Sequence, residues 1–222
     1  METAIPPAGN TLDILSDPIC PWCYIGKAKL DAALGEAPQA GLDIHWRVYQ
    51  LNPDMPDEGM DRRAYLENKF GGPEGARNVY GRIEQAVRDA GLPLDFSKIE
   101  RTPNTLDAHR LIRWARTTGR QNDVVDALFA AYFVNGVDIG DREALIAIGA
   151  KQGMDEDLMR RLYAEDADRA LLLNEDALAR EMGVTGVPCF VLDETYALVG
   201  AQEKSTWRDV FSRLEKGEGL GS

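Results

Sequence analysis

The chain has 222 residues, 44% hydrophobic and 28% charged, the balance of a globular protein long enough to bury a sizeable core. Lys and Arg number 25 against 37 Asp and Glu, and the resulting net charge of −12 argues against nucleic acid or an anionic membrane surface as partner. Three cysteines, two of them only three positions apart, are not the framework of a disulfide-stapled secreted protein, and no apolar run approaches the roughly 20 residues of a membrane span. Residues 1–10, METAIPPAGN, carry neither a basic start nor an apolar stretch, so no leader and a cytoplasmic setting are expected.

Residues 11–16, TLDILS, predict a short strand that Asp17-Pro18 breaks. Pro21 suits a first helical turn, where a missing N–H costs nothing, so a helix is expected over 21–34 with Gly35 as its stop. Residues 42–51, LDIHWRVYQL, alternate Leu42, Ile44, Trp46 and Val48 with polar partners and predict a second strand. The linker 52–60 is rich in Pro, Asp and Gly, and from there to Tyr163 the pattern is helical, with no strand expected. Within that stretch Ala108, Leu111, Ile112 and Ala115 share one face of a helix over 106–118, which Asn104 or Thr105 caps. Val125, Leu128, Phe129 and Tyr132 repeat the spacing, and Asp141 caps a further helix ending near Gly153. A helix over 167–182 then leads to Gly183, a strand over 184–193, a short strand over 196–199, and a last helix capped by Ser205 with Trp207, Val210, Phe211 and Leu214 facing inward. The order is β-α-β, an all-helical insertion, then α-β-β-α: an α/β chain divided at 11–58, 59–163 and 164–216.

Cys20-Pro21-Trp22-Cys23 falls where the first strand hands over to the first helix. A helix N-terminus offers partial positive charge and free N–H groups, which favour the reactive thiolate at Cys20. Cys23, one turn further in, is placed to resolve a mixed disulfide formed on the outer, exposed sulfur. Pro21 and Trp22 shape the turn, and Trp22 is counted with the substrate-binding residues. Zinc would need two further ligands from Cys189, His45 and His109, with no second CxxC and no HxxxH, so no metal is expected. Cys189 opens the apolar stretch CFVL and reads first as a small buried hydrophobe, with a third redox thiol as the alternative. Asp17, close to Cys20, would oppose its ionisation as a like charge.

The segment SDPICPWCYIGKAKL, residues 16–30, resembles the FrnE-like branch of the DsbA family, which is similar to 2-hydroxychromene-2-carboxylate isomerases and kappa-class glutathione transferases. QLNP at 50–53, MP at 55–56, YL at 65–66, KFG at 69–71, PNTLDAHRL at 103–111 and GVTGVPCFV at 183–191 extend the resemblance over nearly the whole chain. It implies a thioredoxin fold with a helical insertion, a cis Val187-Pro188 bond beside the CxxC, and a Val187 backbone that binds an extended substrate. It also implies that Asn52, Asn104 and His109 face the cleft between the two parts, and it makes a homodimer plausible. The acid that thioredoxin and DsbA bury in the first strand is replaced here by Ile14, and strand alternation turns the neighbouring Asp13 to the other face.

Both cysteines are kept, so the resemblance implies a thiol–disulfide oxidoreductase acting on protein or small-molecule disulfides, with no bound cofactor and glutathione as a candidate co-substrate. Two alternatives stay open. One is a glutathione-dependent isomerase or transferase that uses Asn52, Asn104 and His109. The other is a binding module that holds extended peptide without redox chemistry.

Overall fold

The computed structural model describes residues 10–37 and 41–219; residues 1–9, on which the leader expectation rests, lie outside the described residues. Strand β1 (Thr11–Ser16) enters first and runs through the middle of a four-stranded sheet of order β2-β1-β5-β6. It pairs in parallel with β2 (Asp43–Val48), setting Ile14 opposite Trp46, and antiparallel with β5 (Cys189–Leu192), setting Ile14 opposite Phe190. The edge strand β6 (Tyr196–Val199) returns antiparallel to β5. Both faces of β1 are covered, and this explains why Leu15 is buried as well as Leu12 and Ile14. Leu12 and Ile14 join the main core with Phe190, Trp207 and Phe211, whereas Leu15 packs with Tyr49, Ala179 and Cys189 in a separate cluster. Asp13 forms an ion pair with Arg47 at 2.6 Å.

Helix α1 (Pro21–Leu34) follows β1 with Pro21 in its first turn. Gly35 follows it at φ −62°, still right-handed, so the helix ends without the left-handed glycine that the sequence suggests. Strand β2 is shorter than its alternation predicts. Gln50 N–H donates to Asp176 Oδ1 (2.8 Å) and Leu51 N–H to Asp17 Oδ2 (2.7 Å), and these side chains draw the backbone out of the ladder. The stretch expected to lack strands contains two: β3 (Met60–Asp61) and β4 (Arg101–Thr102) pair antiparallel, each too short to show a period of two.

The rest of the insertion is helical: α2 (Arg62–Phe70), α3 (Pro73–Asp89), α4 (Leu106–Ala115), α5 (Gln121–Phe129), α6 (Arg142–Lys151) and α7 (Glu156–Ala164). Helix α4 stops three residues early in a 3-10 turn, and α5 runs into a π-turn over Ala130–Val134 that holds Tyr132. Asp141 caps α6 by accepting from Glu143 N–H at 2.9 Å. Leu111, Leu128 and Phe129 belong to the same apolar cluster as Leu12 and Trp207, so the insertion and the sheet share one core.

After α8 (Arg169–Glu181) the chain reaches β5 only at Cys189, because Pro188 has no N–H to give to a ladder. Helix α9 (Lys204–Glu215) begins one residue before Ser205, with Glu203 at the cap position. The ion pairs Lys29–Glu203 and Lys204–Glu36 tie that end to α1 and place the cap ahead of the serine. No helix of the described residues is long and apolar enough to cross a membrane.

Candidate functional site

Cys20 is the N-cap residue of α1, with extended backbone (φ −86°, ψ 113°). Its N–H donates to the Asp17 carbonyl at 2.9 Å, and its own carbonyl accepts from Cys23 N–H (3.0 Å) and Tyr24 N–H (3.2 Å), which winds the first turn. The helix N-terminus therefore meets this sulfur. Cys20 Sγ donates to the Val187 carbonyl at 3.6 Å, and the Val187–Pro188 peptide is cis.

The outer sulfur is less open than the sequence suggests: Cys20 is 3% exposed, Cys23 1%, and Trp22 between them 42%. Trp22 and Val187 share a cleft of about 630 Å³ with Ile25, Lys29, Gly200 and Glu203. Tyr24 stacks on Phe133 with ring centroids 5.3 Å apart, docking the start of α1 on the insertion. Burial, and then the adjacent Cys20 sulfur, pushes the Cys23 thiol well up, against hydrogen bonds from the Ser16 hydroxyl and the Asp17 backbone. The protonated form of Cys23 is thereby favoured.

Gly26 lies one turn beyond Cys23. A Cβ there would stand 3.0 Å from Pro188 Cγ and 3.3 Å from Phe190 Cζ, so the missing side chain lets α1 approach the Val187–Pro188 segment. Gly26→Ala is expected to cost about 1 kcal/mol net, overpacking of roughly 1–3 kcal/mol being partly offset by about 1 kcal/mol of helix propensity. Displacement of Pro188 also slows thiol exchange several-fold, about a few tenths of an ångström being enough to spoil alignment. Urea unfolding and the exchange rate check both.

Asp17 is held by the backbone at Ile19 and Leu51. Its carboxyl is fully buried and accepts from Leu51 N–H (2.7 Å) and Ile19 N–H (3.3 Å). Burial raises it to about 7, opposed by those two bonds and one from the Thr105 side chain, with Asp176 repelling it. His109 Nε2 is 3.9 Å from Asp17 Oδ1, beyond hydrogen-bond reach, and has no partner. Expected at the cleft, His109 is instead enclosed, and burial drives it down to about 3, so it is neutral at ordinary pH.

Asn52 and Asn104 are tied into the linker. Asn52 Oδ1 accepts from Tyr65 Oη (2.9 Å) and Lys69 Nζ (3.0 Å), and its buried Nδ2 has no partner. Asn104 Oδ1 accepts from Leu106 N–H (2.9 Å) and Gln50 Nε2 (3.2 Å), while Nδ2 donates to the Met55 carbonyl (2.7 Å). Thr105 holds the cap position of α4 but makes no capping bond; the side-chain bond to the first turn comes from Asn104 before it.

Cys189 packs with Leu15, Tyr49 and Ala179, apart from the cluster that holds Cys20 and Cys23, and burial pushes its thiol up. Among the described residues no three of His, Cys, Asp and Glu stand together as a metal site. Sequence reading missed Ser16 and Gly26. Neither carries a motif: one matters for a hydroxyl on a buried sulfur, the other for a side chain it lacks.

The description of the DSBA-like thioredoxin domain matches residues 11–211. The chain belongs to the DSBA-like thioredoxin family. The uncharacterized protein YwbO of Bacillus subtilis (strain 168) is 23% identical over 210 residues, covering 92% of this chain and 97% of that one. A structure described as a probable DsbA oxidoreductase, SCO1869 from Streptomyces coelicolor, superposes with a TM-score of 0.83 at 28% identity, over 96% of this chain and 92% of the other. The cytosolic disulfide reductase DsbM from Pseudomonas aeruginosa, solved with GSH, shares the fold with a TM-score of 0.67 at 21% identity, over 93% and 99% of the two chains. Family membership supports an enzyme of the thiol oxidoreductase or related isomerase kind.

Proposed function

We propose that this DsbA-like protein is a thiol–disulfide oxidoreductase in which Cys20 attacks and Cys23 resolves. The observation that carries this reading is Cys20 Sγ at the head of α1, 3.6 Å from the Val187 carbonyl, with a protonated Cys23 one turn behind it. The Cys20 thiolate attacks one sulfur of a substrate disulfide, forming a mixed disulfide and releasing the other sulfur as a thiol. Cys23 then loses its proton and attacks Cys20 Sγ. The second substrate thiol leaves, the substrate has gained two electrons, and Cys20–Cys23 is oxidised. Run backwards, the same steps oxidise a substrate dithiol. Trp22 and Val187 are read as the walls that receive the substrate, a protein or small-molecule disulfide or glutathione, in a cytoplasmic setting.

The test is a titration of wild type and Cys189→Ser in glutathione buffers, read by thiol alkylation and mass. One reversible two-electron couple on Cys20 and Cys23, between roughly −270 and −120 mV and the same in both proteins, is expected. The reducing end of that range makes the enzyme a reductase and the oxidising end an oxidase. The second reading, a glutathione-dependent isomerase or transferase, draws on a solved 2-hydroxychromene-2-carboxylate isomerase that shares the fold with a TM-score of 0.69 at 18% identity. It requires the absence of any reversible couple and a glutathione-dependent turnover that survives Cys23→Ser.

A further inference from the structure

Three buried cations stand out in the described residues. Lys27 and Arg110 are each held by carboxylates: Asp31 and Asp126 for the lysine, at 2.6 and 2.7 Å, and Asp107 for the arginine, at 2.7 Å. Arg62, 7% exposed at the start of α2, is different. Its Nη1 donates to Tyr132 Oη at 3.0 Å, and its guanidinium centre lies 5.0 Å from the Tyr80 ring and 5.4 Å from the Phe96 ring. Among the described residues it forms no ion pair. Aromatic faces and the hydroxyls of Tyr132 and Tyr80 offset only part of the cost of drying a guanidinium, since none of them carries a negative charge.

Arg62 stands in a cavity of about 620 Å³ between α2 and α3, walled by Leu66, Ala76, Tyr80 and Phe96. The acids around it are committed elsewhere or lie at the mouth. Asp61 caps α2 through Ala64 N–H, Glu67 pairs with Arg63, and Glu84 and Glu100 are exposed. The cavity therefore offers the N–H groups of a planar guanidinium fork that Tyr132 and Tyr80 leave free, with ring surfaces beside them. A carboxylate is the partner whose geometry and charge complete such a fork.

We propose that this cavity binds a small carboxylate with a flat apolar body, the carboxylate on Arg62 and the body against Tyr80 and Phe96. Burial raises the Tyr80 phenol, opposed by the Arg62 charge beside it. The binding itself does not depend on the redox reading.

Calorimetric titration of the reduced, full-length protein with 3-phenylpropionate tests the proposal, with 3-phenylpropan-1-ol and 3-phenylpropylamine as uncharged and cationic probes of the same body. The acid is expected to bind at about 1 mM or tighter, within reach of a ligand of this size, and at least about tenfold better than either control. Arg62→Met and, separately, Ala76→Leu each weaken it at least about tenfold. The second variant fills the cavity and keeps the arginine, and urea unfolding shows that each variant is folded. Equal binding of the three probes, tighter binding of the amine, indifference of the acid to both variants, or no binding by folded wild type at about 10 mM each overturns the proposal.

Discussion

Cys20→Ser brings disulfide reduction down to the solution background, a loss of about a thousandfold or more, and leaves the fold unchanged. The serine occupies the same place at the head of α1, but its hydroxyl does not ionise there and cannot attack a disulfide. The fold is spared because the side chain makes no capping bond and serine is close to cysteine in size, so it fills the same buried place beside Cys23 and the Val187 carbonyl. Cys23→Ser behaves differently. Attack by Cys20 still forms the mixed disulfide, but no sulfur remains one turn behind to release it, so the adduct accumulates and adds the mass of the bound thiol. Cys189→Ser leaves turnover within about a factor of two, since that sulfur packs among Leu15, Tyr49 and Ala179 in another cluster. Insulin reduction followed by turbidity, with intact-mass analysis of the trapped species, checks all three. Full turnover by Cys20→Ser would overturn the assignment.

What the sequence shows of this site is what is local. The spacing of Cys20 and Cys23, the proline that starts α1, and the Val187–Pro188 pair before an apolar strand are readable because each acts through neighbours in the chain. The long helices are readable for the same reason, as Leu111 and Ile112 of α4 or Trp207 and Phe211 of α9 repeat at helical spacing and are buried. The misread features depend on partners distant in sequence. Alternation carries β2 to Leu51, but the Asp17 carboxylate takes Leu51 N–H and ends the ladder at Val48. Asp17 beside Cys20 suggests a charge on the sulfur, but the carboxyl is anchored by Leu51 and Thr105, neither of them its neighbour in the chain. His109 lies next to an apolar stripe and follows that stripe into the interior. Arg62 gives no sign at all: an arginine at the head of a helix reads as solvated until Tyr80, Phe96 and Tyr132 close over it.

Asp17→Asn removes a pH dependence from the stability of the fold. The native carboxyl titrates at about 7, whereas in the unfolded chain it titrates at about 3.9. Between those values the native protein holds a proton that the unfolded chain has lost, so stability falls as pH rises through this window. The stabilisation is fully present below about pH 4 and gone above about pH 7. At about 1.4 kcal/mol per unit over about three units, the loss is about 4 kcal/mol. His109, held down near 3, stays neutral across the window and does not supply the missing proton. Asparagine does not titrate, and its single side-chain oxygen serves only one of the two N–H groups of Leu51 and Ile19, a pH-independent cost of roughly 1–2 kcal/mol. The variant is therefore slightly less stable than wild type near pH 4 and more stable by pH 8, the difference between the two growing by about 4 kcal/mol on the way. Urea unfolding of both reduced proteins at several pH values measures that difference directly, since every other titrating group cancels. Two curves that stay parallel from pH 4 to 8 would show that the carboxyl ionises freely in the native state, and with it that the polar groups from Leu51, Ile19 and Thr105 outweigh its burial.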